Sequence, residues 1–269
     1  MNTTGNQRSR LSLIGAGNVA THLAKALAPH YDIVQVYAPH IESASRLADA
    51  VGAKAIDSIE AFDPTAIDYV IVSIKDDVIG DVLRQLAETG RQTAADILWM
   101  HTAGSVEMSV FPASMTRHGV LYPLQTFSRD LPVDMTEVPF FIEASDHKSE
   151  ETIASIARNM SNHVSHLDSA GRMRLHAAAV LACNMVMYMW ALADDVLKGS
   201  GIGFETMRPL LQATLDKTAL TSPWEGMTGP ARRGDIATIL KHIASLPEQQ
   251  ARIYATLSRE ILQIDHHTT

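Results

Sequence analysis

Short, almost unbroken apolar runs alternate along the first part of the chain with segments whose apolar residues recur every three to four positions. Leu11–Ile14, Ile33–Tyr37, Tyr69–Ser73 and Ile97–Met100 are runs of the first kind, the pattern of strands buried on both faces of a parallel sheet. Val120–Tyr122 and Pro139–Glu143 add two more expected strands, and Lys54–Ile56 is compatible with a short one. Helical spacing marks Val19–Ala28, Ser43–Val51, a short stretch at Ser58–Phe62, Asp76–Glu88 and Lys148–Met160. Strand and helix in alternation predict an α/β fold with a doubly wound, mostly parallel sheet. After a short segment at His163–Leu167 the strand pattern stops. Helices are expected at Ala170–Leu197, Glu205–Thr218, Asp235–Ser245 and Glu248–Ile264, making a smaller all-α domain. The boundary falls near Leu167, dividing the chain into residues 1–167 and 168–269. Within the long helix, Ala177–Ala193 carries no charge. It is short for a bilayer and holds Asn184 near its middle, so a helix buried on all sides is expected rather than a membrane span.

The first strand–helix junction carries the chemistry. The run Leu11–Ile14 breaks at Gly15-Ala16-Gly17 and passes through Asn18 and Val19 into a helix, with Ala20 in the third small position. This G-x-G-x-x-A pattern between a strand and a helix is the dinucleotide-binding arrangement. Gly15 allows the tight turn, Gly17 lets a diphosphate approach the backbone, and Ala20 lets the helix pack closely on the sheet. The unpaired amides at the helix start then face the phosphates. Ser73-Ile74-Lys75 succeeds the central strand and is expected to border the same cofactor, since ligands of open α/β sheets sit beyond the carboxyl ends of strands. Asp76 or Asp77 is placed to cap the next helix.

Composition excludes several classes. A net charge of −8 argues against a nucleic-acid partner. The single cysteine, Cys183, offers neither a disulfide nor a cysteine-rich metal site. The polar N-terminus lacks the apolar core of a signal peptide, so a cytoplasmic protein is expected. His163, His166 and Asp168 imitate a metal set, but the stretch reads as extended and no metal is expected there. His266-His267 reads as tail.

Six segments resemble a bacterial family that pairs an N-terminal Rossmann-like domain with a C-terminal helical domain of uncharacterised function. They are Gly15–Ala20, His101–Ser105, Tyr122–Phe127, His176–Val180, Asn184 and Thr228–Asp235. The family is related to pyrroline-5-carboxylate reductase and to the deazaflavin-dependent NADP oxidoreductase, within the 6-phosphogluconate dehydrogenase C-terminal-like superfamily. The resemblance implies an NAD(P)-linked oxidoreductase and a dimer formed through the C-terminal helices.

NAD sites place a carboxylate at the end of the second strand, to bind the ribose 2′-hydroxyl. Here that strand ends Tyr37-Ala38-Pro39-His40 with no acid until Glu42, and His40, Ser43 and Arg46 are close enough in sequence to meet a 2′-phosphate. NADP is therefore expected over NAD, although related NADP enzymes carry an arginine near His40 and this chain does not. Ser43 has a plainer role open to it, as the cap of the second helix.

Hydride transfer to a carbonyl or imine needs a proton donor for the charge that develops on oxygen or nitrogen. His101, at the end of an inner strand, is the first candidate. Ser105 is expected to cap a helix whose amides hold an anionic substrate group. His176, at the start of the long helix, is the second candidate, with Asn184 a little over two turns further along roughly the same face. In the related β-hydroxyacid dehydrogenases this helix carries a catalytic lysine, which this chain lacks. Arg232 or Arg233 can clamp a carboxylate or phosphate, with Arg232 the first candidate, and Asp235 either joins it or caps the adjoining helix. These residues together predict an NADP-preferring oxidoreductase acting on a small polar carbonyl or imine. The rival is a dinucleotide-binding sensor without turnover.

Overall fold

In the computed structural model, which describes residues 8–65, 67–90 and 96–264, eight strands form one sheet. They are β1 (Arg10–Ile14), β2 (Asp32–Tyr37), β3 (Lys54–Ile56), β4 (Tyr69–Val72), β5 (Leu98–His101), β6 (His118–Pro123), β7 (Phe140–Ala144) and β8 (Val164–His166). Their order is β3-β2-β1-β4-β5-β6-β7-β8, and β6–β7 is the antiparallel pair in an otherwise parallel ladder. The helices of this part are α1 (Asn18–Leu27), α2 (Ile41–Val51), α3 (Ile79–Glu88), α4 (His147–Arg158) and α5 (Ser169–Ala179). The doubly wound sheet is thus present, and its central strands are apolar on both faces because both are covered.

Alternation along each strand decides which face a side chain joins. Leu11, Leu13, Ile71, Leu98 and Met100 pack with Leu23 and Leu27 of α1, Leu47 of α2 and Ile153 of α4. Val70, Val72 and Trp99 point the other way, into a cluster with Phe62 and with Ile79 and Leu83 of α3. His101 shares the parity of Trp99 and so points toward α3 as well.

The chain divides into two compact units, residues 1–180 and 181–269. The second unit contains α6 (Met185–Leu197), α7 (Arg208–Lys217), the short α8 (Pro223–Gly226), α9 (Ile236–Ser245) and α10 (Glu248–Leu262). The helical run Ser169–Leu197 is not uniform, since Val180–Asn184 forms a π turn between α5 and α6. α-Helical spacing therefore does not run unbroken from His176 to Asn184.

The burial expected for this helix is also corrected. Ser169–Leu197 is long and apolar enough to cross a membrane by length and composition, yet only 6% of its most apolar window is buried. Leu181, Met185, Met187 and Tyr188 are exposed, and so is Cys183. Low charge along a segment reports that it avoids water, and says nothing about whether its own chain supplies the cover. His266-His267 lies outside the described residues.

Candidate functional site

The carboxyl ends of β1, β2, β4, β5 and β6 lie along one edge of the sheet, where a cleft of about 900 Å³ opens. Its floor is the first strand–helix junction. Gly15 has φ +117°, a left-handed backbone that favours glycine, and its amide donates to the Tyr37 carbonyl at 2.8 Å. A Cβ there would stand 2.0 Å from the Ser73 carbonyl oxygen. Gly15 is thus fixed by the way β1, β2 and β4 converge. Gly17 differs, because a Cβ added to it meets nothing within 4 Å. It is the N-cap of α1 with no side-chain cap, so no side chain competes for the helix's first amides. Ala20 is fully buried against the sheet. An open helix start fronted by a residue without Cβ fits a dinucleotide diphosphate.

The other expected cofactor residues gather around the same cleft. Ala16, Asn18 and Val19 line it beside the two glycines, with His40 and Ser43 at the β2 end and Ser73 and Ile74 at the β4 end. Ser43 does not cap α2; His40 is the N-cap residue, and it leaves the cap without a side-chain hydrogen bond. Between Tyr37 and Ser43 the lining contains no carboxylate, while Arg46 is exposed. Lys75 is exposed at the cleft border. Asp76 and Asp77 do not cap α3, whose N-cap is Val78; the Asp76 carboxylate instead accepts the Ser105 hydroxyl.

Ser105 accordingly starts no helix. The chain beyond it makes a single 3₁₀ turn, Met108–Val110, with Glu107 ahead of it. The anion-holding helix expected there is absent.

His101 is not in the cleft. Its side chain is fully buried, stacks on Phe111 with ring centroids 5.6 Å apart, and accepts the Ala103 amide at Nδ1. Burial, with the Arg172 charge adding to it, lowers its pKa to about 3, against a partial offset from the Glu107 backbone. A ring that stays neutral and out of reach of the cleft is a poor donor of protons to it.

His176 does line the cleft. Its Nδ1 lies 3.1 Å from the hydroxyl of Tyr122, the two rings meeting edge to face. Tyr122 stands near the end of β6, and burial, with Asp76 next, raises its pKa above the usual tyrosine value. Gly104 makes the pairing sterically feasible, since a Cβ there would lie 2.4 Å from Nδ1 of His176. One turn before His176, Arg172 is 1% exposed and donates to Glu143 of β7 at 2.6 Å and to the Val106 carbonyl at 2.6 Å. That buried ion pair ties the start of α5 to the sheet edge and so positions His176.

Asn184, Arg232 and Asp235 belong to the second unit. Asn184 is exposed at the end of the π turn. Asp235 caps α9, one oxygen accepting the Thr238 amide at 3.0 Å and the other the Thr238 hydroxyl at 2.7 Å. Asp168 likewise caps α5, and His163 faces Glu137 at 3.7 Å.

Two cleft residues carry no mark of their role in the sequence. Tyr122 is visible there only as part of a family segment. Arg129, in the turn-rich stretch after β6, reaches back across the sheet edge to donate to the Ala16 carbonyl at 3.3 Å. No local signal pairs residues so far apart in the chain.

The fold and cleft define the class, a Rossmann-type dinucleotide-binding sheet joined to a helical unit. Residues 10–98 match the family described as NADP oxidoreductase, coenzyme F420-dependent. Residues 138–261 match a domain of unknown function, DUF2520. A solved structure from Bacteroides fragilis, provisionally described as an NADP oxidoreductase, is 40% identical, with a TM-score of 0.88 over 95% of this chain and 98% of that one. The chain belongs to the family of that B. fragilis protein. A reductive aminase from Aspergillus terreus, solved with NADPH and ethyl-5-oxohexanoate, shares the fold at 14% identity and TM-score 0.71, covering 97% of this chain and 95% of its own. A pyrroline-5-carboxylate reductase from Coxiella burnetii does so at 16% identity and TM-score 0.55, covering 95% and 99%. Among curated proteins, none matches the chain.

Proposed function

We propose that the protein is an NADP-dependent oxidoreductase that reduces a small polar carbonyl or imine. Residues 1–167 bind the nucleotide, and the helical residues 168–269 serve the substrate and join two copies into a cytoplasmic homodimer. The observation that carries the reading is the cleft itself, where the open Gly17 turn and a carboxylate-free β2 end meet the Tyr122–His176 pair. The family description and the B. fragilis relative support NADP as the coenzyme. So does the chemistry of His40 and Ser43, which can donate to a 2′-phosphate and line the cleft without a carboxylate among the lining residues from Tyr37 to Ser43.

In this reading the amides at the start of α1 hold the diphosphate, and Ser73 and Ile74 bound the coenzyme where it crosses β4. The bound nicotinamide supplies the hydride. Tyr122 then gives its phenolic proton to the substrate oxygen or nitrogen, and His176, donating from Nδ1 to the phenolic oxygen, keeps that proton aimed into the cleft. His101, buried outside the cleft, takes no part in proton transfer. Arg232 is retained as a candidate for an anionic substrate group, whereas Asp235 has both oxygens engaged in its cap.

Fluorescence titration with NADPH and NADH, then NADPH oxidation over a panel of keto acids, aldehydes and cyclic imines, tests this reading. Tighter binding of NADPH and turnover of at least one substrate are expected. Binding without turnover of any candidate would favour the sensor, and absence of binding would remove the redox assignment.

A further inference from the structure

The segment between β6 and β7 does not loop out into solvent but lies back over the start of α1. Three contacts hold it there. Asn18 Nδ2 donates to the Phe127 carbonyl at 3.0 Å, and His22 Nε2 lies 3.0 Å from the Ser128 carbonyl. The third is Arg129, whose Nη2 donates to the Ala16 carbonyl at 3.3 Å, while the rings of His22 and Phe127 pack at a tilt with centroids 5.0 Å apart. Arg129 is half-buried and lines the cleft above the glycine turn. Its acceptor is a neutral carbonyl, and among the described residues no carboxylate pairs with it. A guanidinium with five donors has spent one of them and kept its whole charge.

We infer that Arg129 is a diphosphate-binding residue, a cation brought in by the segment after β6 to close over the anion at the Gly15–Gly17 turn. The inference rests on the reading of the cleft as a dinucleotide site. Helix-start amides alone hold a diphosphate with partial charges only, whereas a guanidinium adds a full charge and a planar fork matched to phosphate oxygens. The contact to Ala16 fixes the fork where that anion lies. Arg129 is placed for the diphosphate, common to both coenzymes, and not for the 2′-phosphate, whose expected partners His40 and Ser43 stand at the β2 end. The coenzyme would thereby also pin the 123–131 segment, because its diphosphate joins Arg129 to the α1 amides.

The test compares Arg129→Gln and Arg129→Lys with the wild-type chain, reading dissociation constants for NADPH and NADH and their salt dependence. Gln keeps a donor for the Ala16 carbonyl and loses the charge. It is expected to weaken both coenzymes equally, by roughly 10- to 100-fold, and to flatten the salt dependence. Lys keeps the charge without the fork and is expected to fall between. Thermal melting of the unliganded variants checks that the fold is intact. Unchanged affinity in Arg129→Gln would overturn the proposal and leave Arg129 as a tether of its loop. A loss confined to NADPH would also overturn it, by assigning the residue to the 2′-phosphate. If the wild-type chain binds neither coenzyme, the underlying reading fails with it; if it binds both and the variants match it, this inference fails alone.

Discussion

At the scale of single residues, the two histidines expected to donate a proton have opposite fates. His101 is neutral in the folded chain down to about pH 3, because burial withholds water from its charged form. An unfolded histidine takes its proton near 6.5, so between those two values the unfolded chain binds the extra proton. The stability contributed by His101 is complete above pH 6.5 and is lost as the pH falls toward 3. Urea unfolding at a series of pH values should show this slope, and His101→Asn should reduce it while leaving turnover largely intact. The same variant losing turnover in proportion to Tyr122→Phe would return His101 to the catalytic set. Tyr122→Phe itself keeps the ring and removes the proton. It is expected to lower kcat by roughly 100-fold or more with NADPH affinity unchanged. Because burial raises the Tyr122 pKa above 10, this donor stays protonated through the neutral range, and its loss should depress the reductive rate only in strongly alkaline buffer.

At the scale of elements, the β1–α1 junction assigns different work to two glycines that look alike in sequence. Gly15→Ala forces a left-handed backbone on alanine and drives its Cβ into the Ser73 carbonyl, so thermal melting should show a large destabilisation. Gly17→Val meets open space, so the melting temperature should hold while NADPH titration shows affinity lost. A Gly17→Val protein that folds and binds normally would show that no diphosphate approaches there. The junction is legible in the sequence because everything it needs is local: an apolar run, a spaced glycine pair and a helical repeat. Alternation within β5 is legible too, and it already sets His101 with Trp99 on the α3 face, away from the cleft. The helix expected after Ser105 failed for a different reason. Serine satisfies cap and tertiary contact equally well, and here the Asp76 carboxylate takes its hydroxyl. Tyr122, Arg129 and the antiparallel turn of β7 depend on contacts between distant parts of the chain, for which periodicity has no signal.

At the scale of the whole molecule, the unsolved energetic problem is α6. Leu181 of the π turn and Met185 and Met187 of α6 are each more than half exposed, with Tyr188 at 49%, and only 6% of the most apolar window of Ser169–Leu197 is buried. Exposed apolar area on that scale marks a surface that is covered in use. A bilayer would have to accept Asn184 near the middle of the apolar stretch, with Asp194 and Asp195 near its C-terminal end, at a penalty of several kcal/mol for the two carboxylates. A second copy places no carboxylate in lipid, and a two-fold contact needs only about 800 Å² from each partner. Light scattering is therefore expected to give twice the 29.3 kDa chain mass. Met187→Glu should shift the protein toward monomer without altering NADPH binding, because the cleft of the first unit is built from residues 15–176. A wild-type chain that stays monomeric, or that floats with phospholipid vesicles, would mean that something other than a second copy covers α6.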